Sequence, residues 1–150
     1  IGIREAAAFI EKYFETYPGV RSYVEKTVAF AREHGYVETM LGRRRFIPEI
    51  NSTTSFRREG SERIAINTPI QGTSADMIKI AMVNIRKIMI EKRMRSRMIM
   101  QVHDELVFEV ADKERDDVHS IVCQLMENAL QLDVPVIVDV GWGKNWEEAH

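Results

Sequence analysis

The segment "MIMQVHDELVFEV" (residues 98–110) sets one imidazole and two carboxylates, those of His103, Asp104 and Glu105, between two apolar runs. Met98 to Val102 and Leu106 to Val110 carry the large apolar and β-branched residues of strands. The short polar gap between them suggests a tight antiparallel hairpin. Neighbouring carboxylates repel, and a dication relieves that repulsion while keeping both ionised. Mg²⁺ takes hard oxygen donors, usually one or two carboxylates completed by water and phosphate oxygens. A solvated acidic turn is the plainer reading, and the hairpin by itself leaves both open. Asp-Glu lacks the glycine that favoured two-residue turns place at positive φ. The expectation is therefore a longer loop, or a mildly strained turn held for another reason.

The chain has 150 residues, the size of one domain or of a piece of a larger one. Its 45% hydrophobic content can build a core, and its 29% charged content is ordinary for a globular domain. The single Cys123 excludes an intrachain disulfide and suits a reducing compartment. No apolar run approaches the roughly 18 residues of a membrane span, and the opening residues do not resemble a secretory leader. That opening, "IGIREAAAF", lacks Met, as expected of a stretch cut from something longer. The net charge of −2 hides an asymmetry. Residues 1–103 hold 18 Lys and Arg against 11 Asp and Glu; residues 104–150 hold 3 against 12. A basic block ("GRRRF", "FRREGSER") before an acidic end suits a polyanionic partner, with the acidic part facing elsewhere or holding cations.

The elements that must carry these residues follow from periodicity. Ala6, Phe9, Ile10, Tyr13, Phe14 and Tyr17 keep helical spacing up to "YPG". A second helix runs on Val20, Tyr23, Val24, Val28 and Ala31 and ends at Gly35. Residues 36–47 suggest a small hairpin, and 48–60 a polar loop. A helical region over 61–94 contains Pro69. Thr68 fits an N-cap, with Pro69 at the first helical position and Gln71 completing a capping box. This predicts a short helix to about Asn67 and a new long one from Pro69. Val118, Ile121, Val122, Leu125, Met126, Ala129 and Leu130 form one amphipathic stripe, and "VPVIVDVGWG" (134–143) suggests a last strand. The expected class is α+β: a small antiparallel β-sheet, including the hairpin with the acidic tip, covered by several α-helices. Cys123 and most of the Met residues are expected in packing, Trp142 and Trp146 against the C-terminal tail. His34 and His119 are expected at the surface, and His150 is terminal.

Four ordered blocks carry a resemblance. "GYVETMLGRRRFIPEI", "ERIAINTPIQGTSAD", "MIMQVHDELVFEV" and "VDVGWGKNWEEAH" together resemble the C-terminal end of family A DNA polymerases, over essentially the whole chain. The resemblance implies a single piece in which about 1–60 are the end of the fingers and about 61–150 the C-terminal half of the palm. It implies that Asp104 is one of two palm aspartates that hold two catalytic Mg²⁺ ions. Glu105 would be the adjacent, less indispensable acid, and His103 a neighbour of the primer terminus. Arg63, Asn67 and Gln71 match residues that face the primer–template duplex and the nascent pair. The implied partners are primer–template DNA, dNTP and the N-terminal remainder of the polymerase, in a bacterial cytoplasm beside the nucleoid and not in a membrane. Ser74 and Phe46 depart mildly from the family blocks. The first palm motif, the nucleotide-gripping fingers helix and the thumb are not among these residues, so the 150-residue chain alone is expected to lack polymerase activity.

The trio has its own logic. A spacing of i, i+4, i+8 puts Arg63, Asn67 and Gln71 on one helical face if the axis continues past Pro69. All three donate hydrogen bonds, and every base pair offers an N3 or O2 acceptor in the minor groove. Singly, Gln71 could serve the capping box, Asn67 a helix end and Arg63 an ion pair with Glu59. Arg43, Arg44 and Arg45 could touch phosphate or simply line a solvated turn. Other readings of the whole are a phage-type single-subunit RNA polymerase, which usually carries another residue where Glu105 stands, and a non-catalytic duplex-binding module. A two-carboxylate hydrolase fits poorly, because it needs separated acid and base.

Overall fold

The computed structural model describes residues 2–149; His150 lies outside them. The chain forms two compact units that divide between Thr73 and Ser74. In the first, α1 (Ile3–Thr16) is followed by α2 (Pro18–His34). Pro18 opens α2 where its missing N–H costs nothing. Gly35 closes it at φ 77°, its N–H donating to the Ala31 carbonyl. The apolar stripe of α1 is helical as expected, yet Phe9, Ile10, Tyr13 and Tyr17 are all exposed. β1 (Tyr36–Glu38) and β2 (Arg44–Phe46) form the expected small hairpin, with Val37 opposite Arg45. Ala31, Val37, Ile47, Ile50 and Ala65 make the core of this unit.

Helix α3 (Ser55–Glu91) is 37 residues long with Pro69 inside it. Residues 55–60 are therefore helix rather than loop, and no new helix starts at Pro69. Thr68 is not an N-cap. Its hydroxyl donates to the Ile64 carbonyl at 2.7 Å, and the Thr73 hydroxyl donates to the Pro69 carbonyl at 2.5 Å. Proline removes the N–H that would reach the Ala65 carbonyl, a cost of about 3 kcal/mol or more inside a helix. Packing on both sides offsets it. Ala65, Thr68 and Thr73 are buried, and the Tyr23 hydroxyl donates to the Ile66 carbonyl at 2.7 Å. In the core around Ala65, Val37, Ile47 and Ile50 are buried, each contributing about 1.5–3 kcal/mol, so their packing outweighs one lost bond.

The turn between β1 and β2 seats directly on α3. The Met40 N–H donates to the Thr73 hydroxyl at 3.0 Å, and the Arg43 guanidinium donates to the Gly72 carbonyl at 2.9 Å. A Cβ on Gly72 would lie 2.5 Å from Cγ2 of the buried Thr39. Glycine is what permits this approach.

The second unit holds the rest of α3, then β3 (Arg97–Val102), β4 (Glu105–Glu109), a 3₁₀ turn (Asp112–Glu114), α4 (Arg115–Glu127) and α5 (Trp146–Ala149). Arg93, at φ 53°, turns the chain out of α3. The α+β class holds, but the strands make two separate two-stranded sheets rather than one. Ala81, Ile85, Met89, Val118 and Val122 form the core here, with Met98, Leu106, Phe108 and Val110 packed on it. Val118, Val122, Leu125 and Met126 of α4 thus face inward as their spacing predicts, while Ala129 and Leu130 of the predicted stripe lie past the helix end at Glu127. Residues 134–143 are not a strand. Val134 and Ile137 are 65% and 77% exposed, and no described strand pairs with them. A strand exists by pairing its backbone groups, so an apolar run that no described strand pairs with stays irregular. Trp142 packs on α4 rather than on the tail, with the Arg115 guanidinium 4.4 Å from its ring centroid and His119 beside it, whereas Trp146 is half exposed.

A carboxylate clamp closes the base of the β3–β4 hairpin. Glu114 accepts the Arg95 N–H at 2.9 Å, the Ser96 N–H at 2.8 Å and the Ser96 hydroxyl at 2.5 Å. Ser96 Oγ in turn accepts the Ala111 N–H at 3.0 Å. These donors, the Arg95 N–H foremost, hold the Glu114 carboxyl below the usual glutamate range.

Two outcomes follow from this packing. Gly72→Ala gains about 1 kcal/mol of helix propensity but meets an overpacking cost of about 1–3 kcal/mol. Thermal unfolding is expected to show net destabilisation, recovered in part by Thr39→Ser, which removes the clashing methyl. For Glu114 the depressed folded pKa means that its stabilisation is full above the unfolded glutamate pKa, about 4.3, and is lost as pH falls through the lower folded value. Melting curves across pH should show Glu114→Gln less stable than the parent at neutral pH, with the gap closing below about pH 4.

Candidate functional site

The acidic tip takes the second of its two expected forms, a tight and strained turn. Val102 pairs with Glu105, so the loop is two residues long and consists of His103 and Asp104. Glu105 is already the first residue of β4. His103 takes φ 52° and Asp104 does not take positive φ. Positive φ at the first central position alone is the type II′ pattern, which usually calls for glycine there. An L-residue in this region costs about 1–2 kcal/mol. The strain thus falls on His103, not on Glu105. Its carbonyl accepts a hydrogen bond from the Gln101 side-chain amide at 2.7 Å, which steadies the turn.

The turn presents its polar groups to solvent. His103 and Asp104 are exposed, and Glu105 is half-buried where the strand begins. One wall of the hairpin is apolar and seated on the core through Met98, Leu106 and Phe108. β3 carries an extra residue at Ile99, since Met98 faces Phe108 while Met100 faces Val107. Such a bulge bends its strand and increases the twist locally. No group of three or more His, Cys, Asp or Glu among the described residues could hold a metal ion. Asp104 and Glu105 are hard oxygen donors and fit Mg²⁺ as part of a ligand set that other oxygens must complete.

The second cluster lies on α3, within the first unit. Because the helix continues through Pro69, Arg63, Asn67 and Gln71 do share one face, and all three are exposed. Their plainer roles fall away. Gln71 closes no capping box, Asn67 is not at a helix end, and no ion pair joins Arg63 to Glu59 among the described residues. The opposite face carries Ser61, Ala65 and Thr68, all buried. A polar, solvent-facing row of donors over a buried row is a fixed platform. Among the arginines of the basic block, Arg44 pairs with Glu38 at 2.7 Å and lies over the Tyr36 ring, Arg43 is bound to Gly72, and Arg45 reaches the Thr68 hydroxyl at 3.5 Å. They are less free than a solvated turn would leave them.

His34 stacks on Phe30 at 4.2 Å between centroids, and His119 lies by Trp142, both at the surface. Burial pushes the Cys123 thiol up, beside Glu127, which marks it as a packing group rather than a nucleophile. Ser96, Glu114, Thr39 and Gly72 lie in no pattern that the sequence alone exposes. Ser96 bonds Ala111 and Glu114, 15 and 18 residues away along the chain, and Gly72 meets Arg43, 29 residues away, and the side chain of Thr39.

A family model described as DNA polymerase family A matches residues 1–148. DNA polymerase I of Lactococcus lactis subsp. cremoris is 47% identical over 146 residues, 97% of this chain and 17% of the relative. The thermostable DNA polymerase I of Thermus filiformis is 46% identical over 149 residues, 99% of this chain and 18% of the relative. The chain therefore spans less than a fifth of the length of these relatives. Among solved structures, the POL domain of Pol1 from M. smegmatis, in complex with DNA primer-template and dNTP, matches with a TM-score of 0.96 at 46% identity. The match covers 99% of this chain and 26% of that one. With the family match running over nearly every residue, this chain belongs to DNA polymerase family A.

Proposed function

We propose that this chain is the C-terminal part of the polymerising region of a DNA-directed DNA polymerase. Residues to about 60 belong to the fingers, and those from about 61 on are the C-terminal half of the palm. The observation that carries the reading is the exposed Asp104 carboxylate at the apex of a hairpin whose other wall is fixed in a core. A bacterial cytoplasm is the proposed location, and no described helix is long and apolar enough to cross a membrane.

Asp104 is the proposed catalytic metal ligand, with Glu105 shaping the site beside it and His103 bordering the primer terminus. Asp104, with Glu105 beside it, would hold Mg²⁺, which when bound would make the primer hydroxyl more nucleophilic and offset the charge of the leaving pyrophosphate. The chain's own contribution is placement. The hairpin holds an oxygen donor at a fixed point without spending entropy on a mobile loop. Arg63, Asn67 and Gln71 offer donors to the minor-groove acceptors that all base pairs share, which tests pair shape without reading sequence. Primer–template DNA, dNTP and the remaining polypeptide, with the second palm aspartate, complete the proposed site.

In the polymerase that contains this chain, Asp104→Asn is expected to lower the rate of single-nucleotide incorporation by at least about 10²-fold with DNA binding retained. Asn67→Ala and Gln71→Ala should weaken primer–template binding by about 1–3 kcal/mol, roughly 5- to 150-fold. Full incorporation by Asp104→Asn would leave only a duplex-binding role. The purified 150-residue chain should incorporate no dNTP by itself, and a primer-extension assay showing otherwise would overturn the division of the metal site between two segments.

A further inference from the structure

The hairpin that bears Asp104 has a weak point in its own register. The residue added to β3 at Ile99 has no partner on β4. Losing that bulge while the base kept its pairing would slip β3 beyond it by one residue on β4 and turn each of those side chains to the other face. Asp104 sits beyond it, six strand residues from the base, a span of about 20 Å. Small errors at the base are carried out to the tip.

The base is where the structure spends its polar groups. Ser96 is 4% exposed, and its hydroxyl both accepts from Ala111 N–H and donates to Glu114. The chain just before β3 is thereby tied to the chain just after β4. Glu114 adds the Arg95 and Ser96 N–H groups, so the segment leaving α3 is held at two consecutive residues. A carboxylate filled by one hydroxyl and two amides is preorganised, and bonds to a charged acceptor are about twice as strong as neutral ones. We propose that Ser96 and Glu114 are positioning residues for the metal-binding apex: they fix the register of β3 on β4 and so the place of the Asp104 carboxylate. This rests on the reading of Asp104 as a metal ligand. Neither side chain touches substrate or metal; both act through the hairpin.

The test compares Ser96→Ala, Glu114→Gln, their double variant and Asp104→Asn in the complete polymerase, with active sites titrated and assays run well below each melting temperature. The Mg²⁺ concentration for half-maximal single-turnover incorporation should rise about 10-fold in each clamp variant, as for lost supports of metal ligands elsewhere. Primer–template Kd without metal should stay unchanged, and amide hydrogen exchange over residues 97–109 of the metal-free enzyme should accelerate. The double variant should be no worse than the worse single one, because the two residues form one network. A lowered melting temperature with an unchanged Mg²⁺ midpoint per active site and unchanged exchange would overturn the proposal. If Asp104→Asn is inactive while the clamp variants behave as the parent, the clamp fails and the metal reading stands. If Asp104→Asn retains full activity, the metal reading itself fails. Should Glu114→Gln not fold, Ser96→Ala decides the matter alone.

Discussion

A two-stranded hairpin left to itself is marginal in water, so everything the acidic apex does depends on how β3 and β4 are seated. The seat is apolar. Leu106, Phe108 and Met98 lie on Ile85, Met89, Val118 and Val122, from the late part of α3 and from α4. The buried Ile85, Met89 and Val118 contribute about 1.5–3 kcal/mol each and the half-buried strand residues less, together enough to hold a turn that places His103 at φ 52°. The apex can then be polar and exposed because its stability comes from elsewhere. Rigid support with a wet tip is what a charged ligand for a hydrated cation requires.

The same division of labour runs along α3. Its buried row, Ser61, Ala65 and Thr68, carries the helix through Pro69. Its exposed row, Arg63, Asn67 and Gln71, faces solvent. Thr68 and Thr73 donate back to carbonyls one turn earlier, a pattern that often bends helices slightly. The turn on Gly72 presses against that same region. Packing, and not local propensity, therefore decides that the row is continuous.

Much of the candidate site was legible in sequence. His103, Asp104 and Glu105 stood between two strand-like runs, and the hairpin is there. Residue spacing placed Arg63, Asn67 and Gln71 on one face, conditional on a helix that crossed Pro69, and the helix does cross it. What misled was local punctuation. Thr68-Pro69-Ile70-Gln71 has every mark of a helix start, and those marks describe a chain end in solvent rather than one pressed into a core. "VPVIVDV" has the composition of a strand, but composition supplies no partner edge. The strained turn was one of the two forms expected, but it lies one residue earlier than Asp104-Glu105, because the loop's place follows from register and register depends on both strands together.

The amino-acid order alone determined the helical and strand periods, the glycine stop at Gly35, the apolar face of α4 and the chemistry available at the hairpin tip. These depend on neighbours a few residues away. Only the tertiary structure decided that α3 continues through proline, that His103 rather than Glu105 bears the positive φ, and that Ser96, Ala111 and Glu114 close the hairpin's base. Each of those outcomes turns on contacts between distant segments, whose free energy outweighs a local preference of about 1–3 kcal/mol and leaves no periodic trace in the sequence.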